Sequence, residues 1–217
     1  MKNWWKILAF LLLLFTVIGG LLIEVPRQVI LYETIRNLYF HVPMWFTMIF
    51  LFLVSVIYSI KYLSSSKMDY DIIAKQMVNT GVAFGILGLI TGSIWAKYTW
   101  GTYWTNDIKL NGSAITMLVY FAYLILRSSM DEEQKRGRIA AVYNIFAFVM
   151  LIVFIGVLPR MYDSLHPGNG GNPAFNSYDL DSNMRMVFYP AVIGWILLSI
   201  WIANLNIRIN KLKEKEE

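Results

Sequence analysis

Cysteine is absent from the 217-residue chain. That excludes a disulfide framework, a thiolate metal site, a redox dithiol and the CxxCH attachment motif of c-type haem proteins. Histidine is nearly absent: His41 and His166 are the only two, so any metal chemistry rests on that pair. Charge is scarce as well. Asp, Glu, Lys and Arg make up 15% of the residues against 57% hydrophobic, and the mean hydropathy is +0.51. A soluble domain of this length carries more charge, so the bilayer is the solvent and membrane lipid the first partner. The net charge of +5 is too small and too dispersed for a nucleic-acid surface. No Lys, Arg, Asp or Glu lies deep inside an apolar stretch. A proton relay or charged ion pathway, which needs such groups, is therefore not expected.

What is present is six apolar stretches, at approximately 7–23, 44–63, 72–95, 113–126, 139–158 and 184–205. A bilayer core requires roughly 17–25 residues per helix. The fourth stretch is short and is expected to start in the loop before it. The first follows Lys2 and Lys6 like a signal peptide, but its apolar run is long and Ile23-Glu24-Val25-Pro26 offers no small-x-small cleavage site, so it reads as a retained helix. The expected fold is all-α: one integral membrane domain over 1–217 with six transmembrane helices and an external amphipathic Trp-rich segment.

Basic residues orient the spans. Of the 19 Lys and Arg, only Arg27, Arg36, Lys97, Lys109, Arg160 and Arg185 fall on the side away from the termini, against thirteen on the termini's side. Both termini are therefore expected in the cytoplasm. In the third span Gly81/Gly85 and Gly88/Gly92 are each four apart. Small residues at that spacing let helices approach closely, which puts this span centrally in the bundle.

The same orientation gathers the unusual residues on one face. His41 ends the first outer loop and precedes Val42-Pro43, with Pro43 expected in the first turn of the second helix. His166 lies in the third loop, in MYDSLHPGNGGNP, whose Gly, Asn and Pro signal irregular backbone. Two imidazoles from separate loops suit a metal gripped from opposite sides. The second loop holds WGTYWTND, residues 100–107. If helical, it places Trp100, Tyr103, Trp104 and Asp107 on one stripe. Such a stripe is either an aromatic belt at the membrane surface or a platform for a large planar ligand. Composition leaves both open.

TGSIWAKYTWGTYWTND, residues 91–107, resembles the tryptophan-rich "WWD" signature of the haem-handling membrane proteins of cytochrome c biogenesis. It is most similar to the C subunit of the cytochrome c maturation system, the CcmC family. The HVP at 41–43 and SLHPG at 164–168 resemble that family's two histidine motifs, in the same order. The resemblance covers nearly the whole chain. It implies haem b bound on the periplasmic face of the inner membrane, with His41 and His166 as axial ligands. Trp95, Trp100, Gly101, Tyr103, Trp104 and Asp107 would form its platform, and Lys109 and Arg160 would meet the propionates. It also implies delivery of haem to a periplasmic chaperone of the CcmE type, with ABC transporter subunits of the CcmA/CcmB type, and no enzymatic turnover. The chain departs from the pattern WGxWWxWD, with Tyr103 and Asn106 in place of tryptophans, Ala96 where Gly is usual, and Pro167 where Gln commonly follows the histidine. Tyr103 keeps a stacking face; Asn106 does not.

Two rival readings share these features. A CcsA-type cytochrome c synthase carries the same signature but is larger and uses additional histidines. A membrane scaffold or transporter without haem would use the aromatics as a belt. A quinol-oxidising cytochrome b is disfavoured, because the sequence reading places no histidine inside a span.

Overall fold

The computed structural model of the chain describes residues 3–169, 172, 174–175 and 179–216, with side chains through 212. Gly170, Gly171 and Pro173 of the irregular stretch, Lys2, and the side chains of Lys213 and Lys215 fall outside the described residues. The described residues form helices and no strand. Six helices are long and apolar enough to cross a membrane. They are α1 (Trp4–Leu22), α2 (Leu38–Ser65), α3 (Met68–Trp100), α4 (Ile108–Ser128), α5 (Glu133–Met161) and α6 (Ser182–Glu216). The fourth does begin in the preceding loop, as expected. Within α5 the α-helix ends at Leu151, a π-helix runs over Ile152–Val157, and a last α turn covers Leu158–Met161.

α2 and α3 run antiparallel, and the glycines of α3 decide how closely. A Cβ on Gly81 would meet Phe52 at 2.5 Å, one on Gly85 would meet Met48 at 2.8 Å, and one on Gly88 would meet Trp45 at 2.9 Å. A Cβ on Gly92 would meet the His41 ring at 2.5 Å. The glycine stripe of α3 is thus a furrow filled by a stripe of α2, residues 52, 48, 45 and 41 in turn. Such ridge-into-groove packing needs small residues on one helix and large ones on the other. It continues into a core where Phe52 stacks on Tyr120 of α4, centroids 3.6 Å apart, beside Val78, Met117 and Ala147.

Three features differ from the sequence expectation. Pro43 is not in the first turn of α2. A 3₁₀ segment, Tyr32–Asn37, runs straight into Leu38 and starts the helix earlier, so Pro43 lies inside it and cannot donate to the Tyr39 carbonyl. His41 is therefore part of the helix rather than of the loop before it. α3 and α4 also outrun the predicted spans and carry Asp71 and Arg127, 3% and 7% exposed, into the bundle. Arg127 Nη1 donates to Asp71 Oδ1 at 2.8 Å and Nη2 donates to Oδ2. A buried bidentate pair of this kind satisfies both charges at once, which is why two ionisable residues are tolerated there.

The alternation of helices puts the 23–37, 101–107 and 162–181 connections at one end of the bundle, here termed the histidine end. Arg36 ties the first of them down by donating to the Gly20 and Ile23 carbonyls at 2.9 and 2.6 Å. These are carbonyls left without donors where α1 stops.

Candidate functional site

His41 is seated by helix packing. Its ring lies in the place that a side chain on Gly92 would take, edge-on to Trp95 (centroids 5.8 Å) and Trp45 (6.3 Å). Trp95 is fixed in turn, because its indole N–H donates to Thr34 Oγ1 at 3.1 Å. The Thr91 hydroxyl donates to the Leu87 carbonyl at 2.7 Å. Its oxygen lies 3.1 Å from His41 Nδ1. A proton on Nδ1 shared with that oxygen leaves the lone pair on Nε2.

His166 is seated by a carboxylate. Its Nδ1–H donates to Asp107 Oδ1 at 3.0 Å, with the Asp107 side chain 2% exposed and that of His166 27%. Asp107 also receives the Lys109 and Leu110 N–H groups at 2.9 and 3.3 Å, which makes it the N-cap of α4. Its Oδ2 accepts from Ser164 Oγ–H and Leu165 N–H, both at 2.8 Å. Burial pushes the Asp107 carboxyl up. The hydrogen bonds from His166, Leu165 and Ser164 outweigh burial and hold it well below the usual carboxylate range. An ionised Asp107 fixes the His166 proton on Nδ1, again leaving Nε2 as the basic nitrogen. A carboxylate behind an imidazole is the arrangement that orients histidine ligands and raises their basicity.

Within WGTYWTND, residues 101–106 are not helical. Trp100 is the last residue of α3. Gly101 caps it at φ +79°, a left-handed conformation that favours glycine. The backbone then turns over residues 101–106 until Asp107 starts α4. The expected stripe is accordingly dissolved, because helical spacing cannot cross a left-handed residue. Trp100 meets His166 edge-on at 4.8 Å, whereas Tyr103 and Trp104 are 60% and 42% exposed. Ser93 Oγ–H donates to the Tyr103 carbonyl at 2.9 Å and Lys97 Nζ to the Gly101 carbonyl at 2.8 Å, folding the turn back along α3. Lys97 also sits 5.6 Å from the Tyr103 ring centroid. Asn106 accepts from Asn111 at 2.7 Å, and Asn111 Oδ1 accepts from the Trp104 indole N–H at 3.3 Å. Lys109 Nζ donates to the Pro167 carbonyl, tying α4 to the His166 loop. Arg160 Nη1 donates to the Gly156 carbonyl.

The structure thus brings His41 together with Trp95, and His166 with Trp100 and Asp107, at the final turns of α3. It leaves Tyr103 and Trp104 as exposed rings and gives Lys109 and Arg160 backbone partners. Sequence reasoning gave Thr91 and Ser164 no role and read Gly92 only as a close-packing glycine of the third span; the three seat the two histidines. A signal for Gly92 was available: the i, i+4, i+7, i+11 spacing of His41, Trp45, Met48 and Phe52 mirrors the glycine spacing of α3.

These residues suit a haem. Among the described residues no group of three His, Cys, Asp or Glu is placed to hold a metal ion. Two imidazoles, each seated through Nδ1, are the donor set a porphyrin iron needs, since the macrocycle supplies the other four ligands. The rings of Trp95 and Trp100 offer apolar surface beside them. The family model described as "Heme exporter protein C" matches residues 1–217. The chain belongs to the heme exporter protein C family. Relatives of that name include the protein of Bradyrhizobium diazoefficiens, 32% identical over 118 residues, which are 54% of this chain and 45% of the relative. The Haemophilus influenzae protein is 28% identical over 139 residues, 64% of this chain and 55% of the relative. The chain spans about half the length of the heme exporter relatives it matches. It is also similar to the cytochrome c biogenesis protein CcsA of Prochlorococcus marinus, 38% identical over 89 residues, 41% of this chain and 28% of that protein.

Proposed function

We propose that this member of the heme exporter protein C family binds haem b at the histidine end, with His41 and His166 as axial ligands through Nε2. The observation that carries the reading is the matched seating of the two histidines: each Nδ1 lies within hydrogen-bond distance of a fixed oxygen, Thr91 Oγ1 on one side and Asp107 Oδ1 on the other. A bound haem would supply the iron and a flat apolar disc; the chain supplies two oriented nitrogens and aromatic walls. Trp95 and Trp100 brace the ligand rings. Tyr103 and Trp104, exposed on the turn, face a disc or its recipient. Gly101 acts by shaping that turn. Lys97 reaches the turn and Lys109 the His166 loop, and Lys109 and Arg160 meet the propionates.

The histidine end faces the periplasm across the inner membrane, on the distribution of Lys and Arg. The chain then holds haem for transfer to a CcmE-type chaperone, in association with CcmA/CcmB-type transporter subunits, in cytochrome c maturation. It delivers a cofactor and turns over no substrate. The test is the absorbance and electron paramagnetic resonance of the purified protein supplied with haem. A low-spin bis-histidine signature is expected, lost in both His41→Ala and His166→Ala; spectra unchanged in both variants would refute axial ligation.

The similarity to CcsA favours one second reading, a cytochrome c synthase. It predicts a haem thioether adduct on a reduced CxxCH apocytochrome peptide. Mass spectrometry of the peptide, incubated with the haem-loaded protein alone, is expected to find none.

A further inference from the structure

The π-helix of α5 covers Ile152–Val157, and Pro159 stands buried just beyond it. The proline explains the widening. In an unbroken α-helix its ring would collide with the carbonyl four residues back, that of Ile155, and it has no N–H to give. A π turn, bonded from i to i+5, relieves that collision. The Leu158 N–H accordingly donates to the Val153 carbonyl, one residue further back than in an α-helix. The next carbonyl, that of Phe154, then has neither its α donor nor its π donor. Leu158 is engaged with Val153, and Pro159 has no N–H.

α4 rests on that open carbonyl. A Cβ on Gly112 would meet the Phe154 oxygen at 2.5 Å and its carbonyl carbon at 3.2 Å. Along the α3 stripe the glycines face side chains, which can turn aside. Among the described glycines, Gly112 alone has backbone as its nearest neighbour. Only a glycine, through its Cα–H, lets two backbones come so near.

The contact joins the two elements from which the His166 loop hangs. Asp107, at the start of α4, holds Ser164, Leu165 and His166. Met161 ends α5, and Ser164 follows it by three positions. Three residues span at most about 11 Å, so the place where α5 ends decides whether the loop reaches the carboxylate. Closing the π turn into an α turn would rotate that end by about 100° and shift it by about 1.5 Å.

We propose that Gly112 and Pro159 are positioning residues for His166: the proline widens α5, the freed Phe154 carbonyl seats on the glycine, and this seating sets where the loop leaves the helix so that the ring meets Asp107. Its consequence for ligation rests on the haem reading above, whereas the placing of the ring is readable without haem.

The chain has two histidines, so the haem-free protein grown on isotope-labelled histidine and held in detergent gives two sets of ring resonances. The wild type is expected to show one downfield Nδ1 proton, that of His166 on the Asp107 carboxylate, assigned by its loss in His166→Ala. Gly112→Ala is expected to move that proton upfield and leave the His41 ring nitrogens in place. Pro159→Ala, which adds no bulk and returns the N–H, should move it less. Gly137→Ala is the control: it crowds Tyr62 at 2.7 Å near the other end of α5 and should move neither histidine. A His166 proton unmoved in Gly112→Ala would overturn the proposal, as would one moved equally in Gly137→Ala; should Gly112→Ala not fold, Pro159→Ala decides by the same criterion. With haem added, Gly112→Ala should show a high-spin fraction that free imidazole returns to low spin, and a spectrum unchanged from the wild type would overturn the role in ligation. A wild type with no haem spectrum would defeat the haem reading and leave the placing of His166 to be judged by its ring proton.

Discussion

The two histidines reach the same state by opposite means. His41 stands on a long helix, and its position follows from the fit of α2 into the glycine furrow of α3; the Thr91 hydroxyl adds one polar contact. His166 stands on an irregular loop with no helix to hold it, and its position follows from hydrogen bonds that converge on one buried carboxylate. Packing is distributed over many contacts and tolerates the loss of a polar one. A charge-assisted cluster concentrates its hold in a single residue. The comparison teaches that the helical histidine is protected by shape and the loop histidine by charge.

That contrast is open to attack residue by residue. Asp107→Ala is expected to have the largest effect, because it removes the α4 cap and the His166 partner together. Haem retention should fall about 100-fold, the upper range for loss of a partner behind a ligand, as read by haem titration; a loss no greater than for Thr91→Val would break the distinction. Gly92→Leu attacks the other seat by shape. Overpacking of this kind costs about 1–3 kcal/mol, and the displaced His41 should convert the low-spin spectrum to high-spin. A bis-histidine spectrum that survives in Gly92→Leu would mean the furrow does not set the ring. Thr91→Val keeps the shape and removes the acceptor. Its loss of retention should stay within about tenfold, the lower range for such partners. Gly101→Ala is the smallest perturbation. A Cβ there meets nothing within 4 Å, so only the left-handed backbone is penalised, by about 1–2 kcal/mol, and Gly101→Asn should cost less in the same thermal measurement.

Much of the architecture was legible in residue order because the bilayer imposes a simple rule: apolar runs of spanning length become helices. The helix ends were less legible. α2 begins before Pro43 because the 3₁₀ segment delivers the chain in a helical direction, which hydropathy does not encode. WGTYWTND misled for a similar reason. Its aromatic spacing suits a helix, yet Gly101 needs a left-handed φ and Asp107 needs to cap, and both local demands prevail over spacing. The buried Asp71–Arg127 pair was hidden because each residue taken alone sits just past an apolar run, and only the fold brings the partners together.

Residue order by itself determined the membrane solvent, the six spans, the absence of thiol chemistry and the choice of His41 and His166 as the histidines available to a metal. It also placed the glycines at a spacing that demands a close neighbour. Only the tertiary structure decided that the neighbour is α2, that Asp107 bonds the His166 ring, and that Thr91 stands at the His41 Nδ1. The physical reason is range. Hydropathy and helix spacing act along the chain, whereas each imidazole is seated by an oxygen that the sequence holds 50 or 59 residues away and folding brings to hydrogen-bond distance.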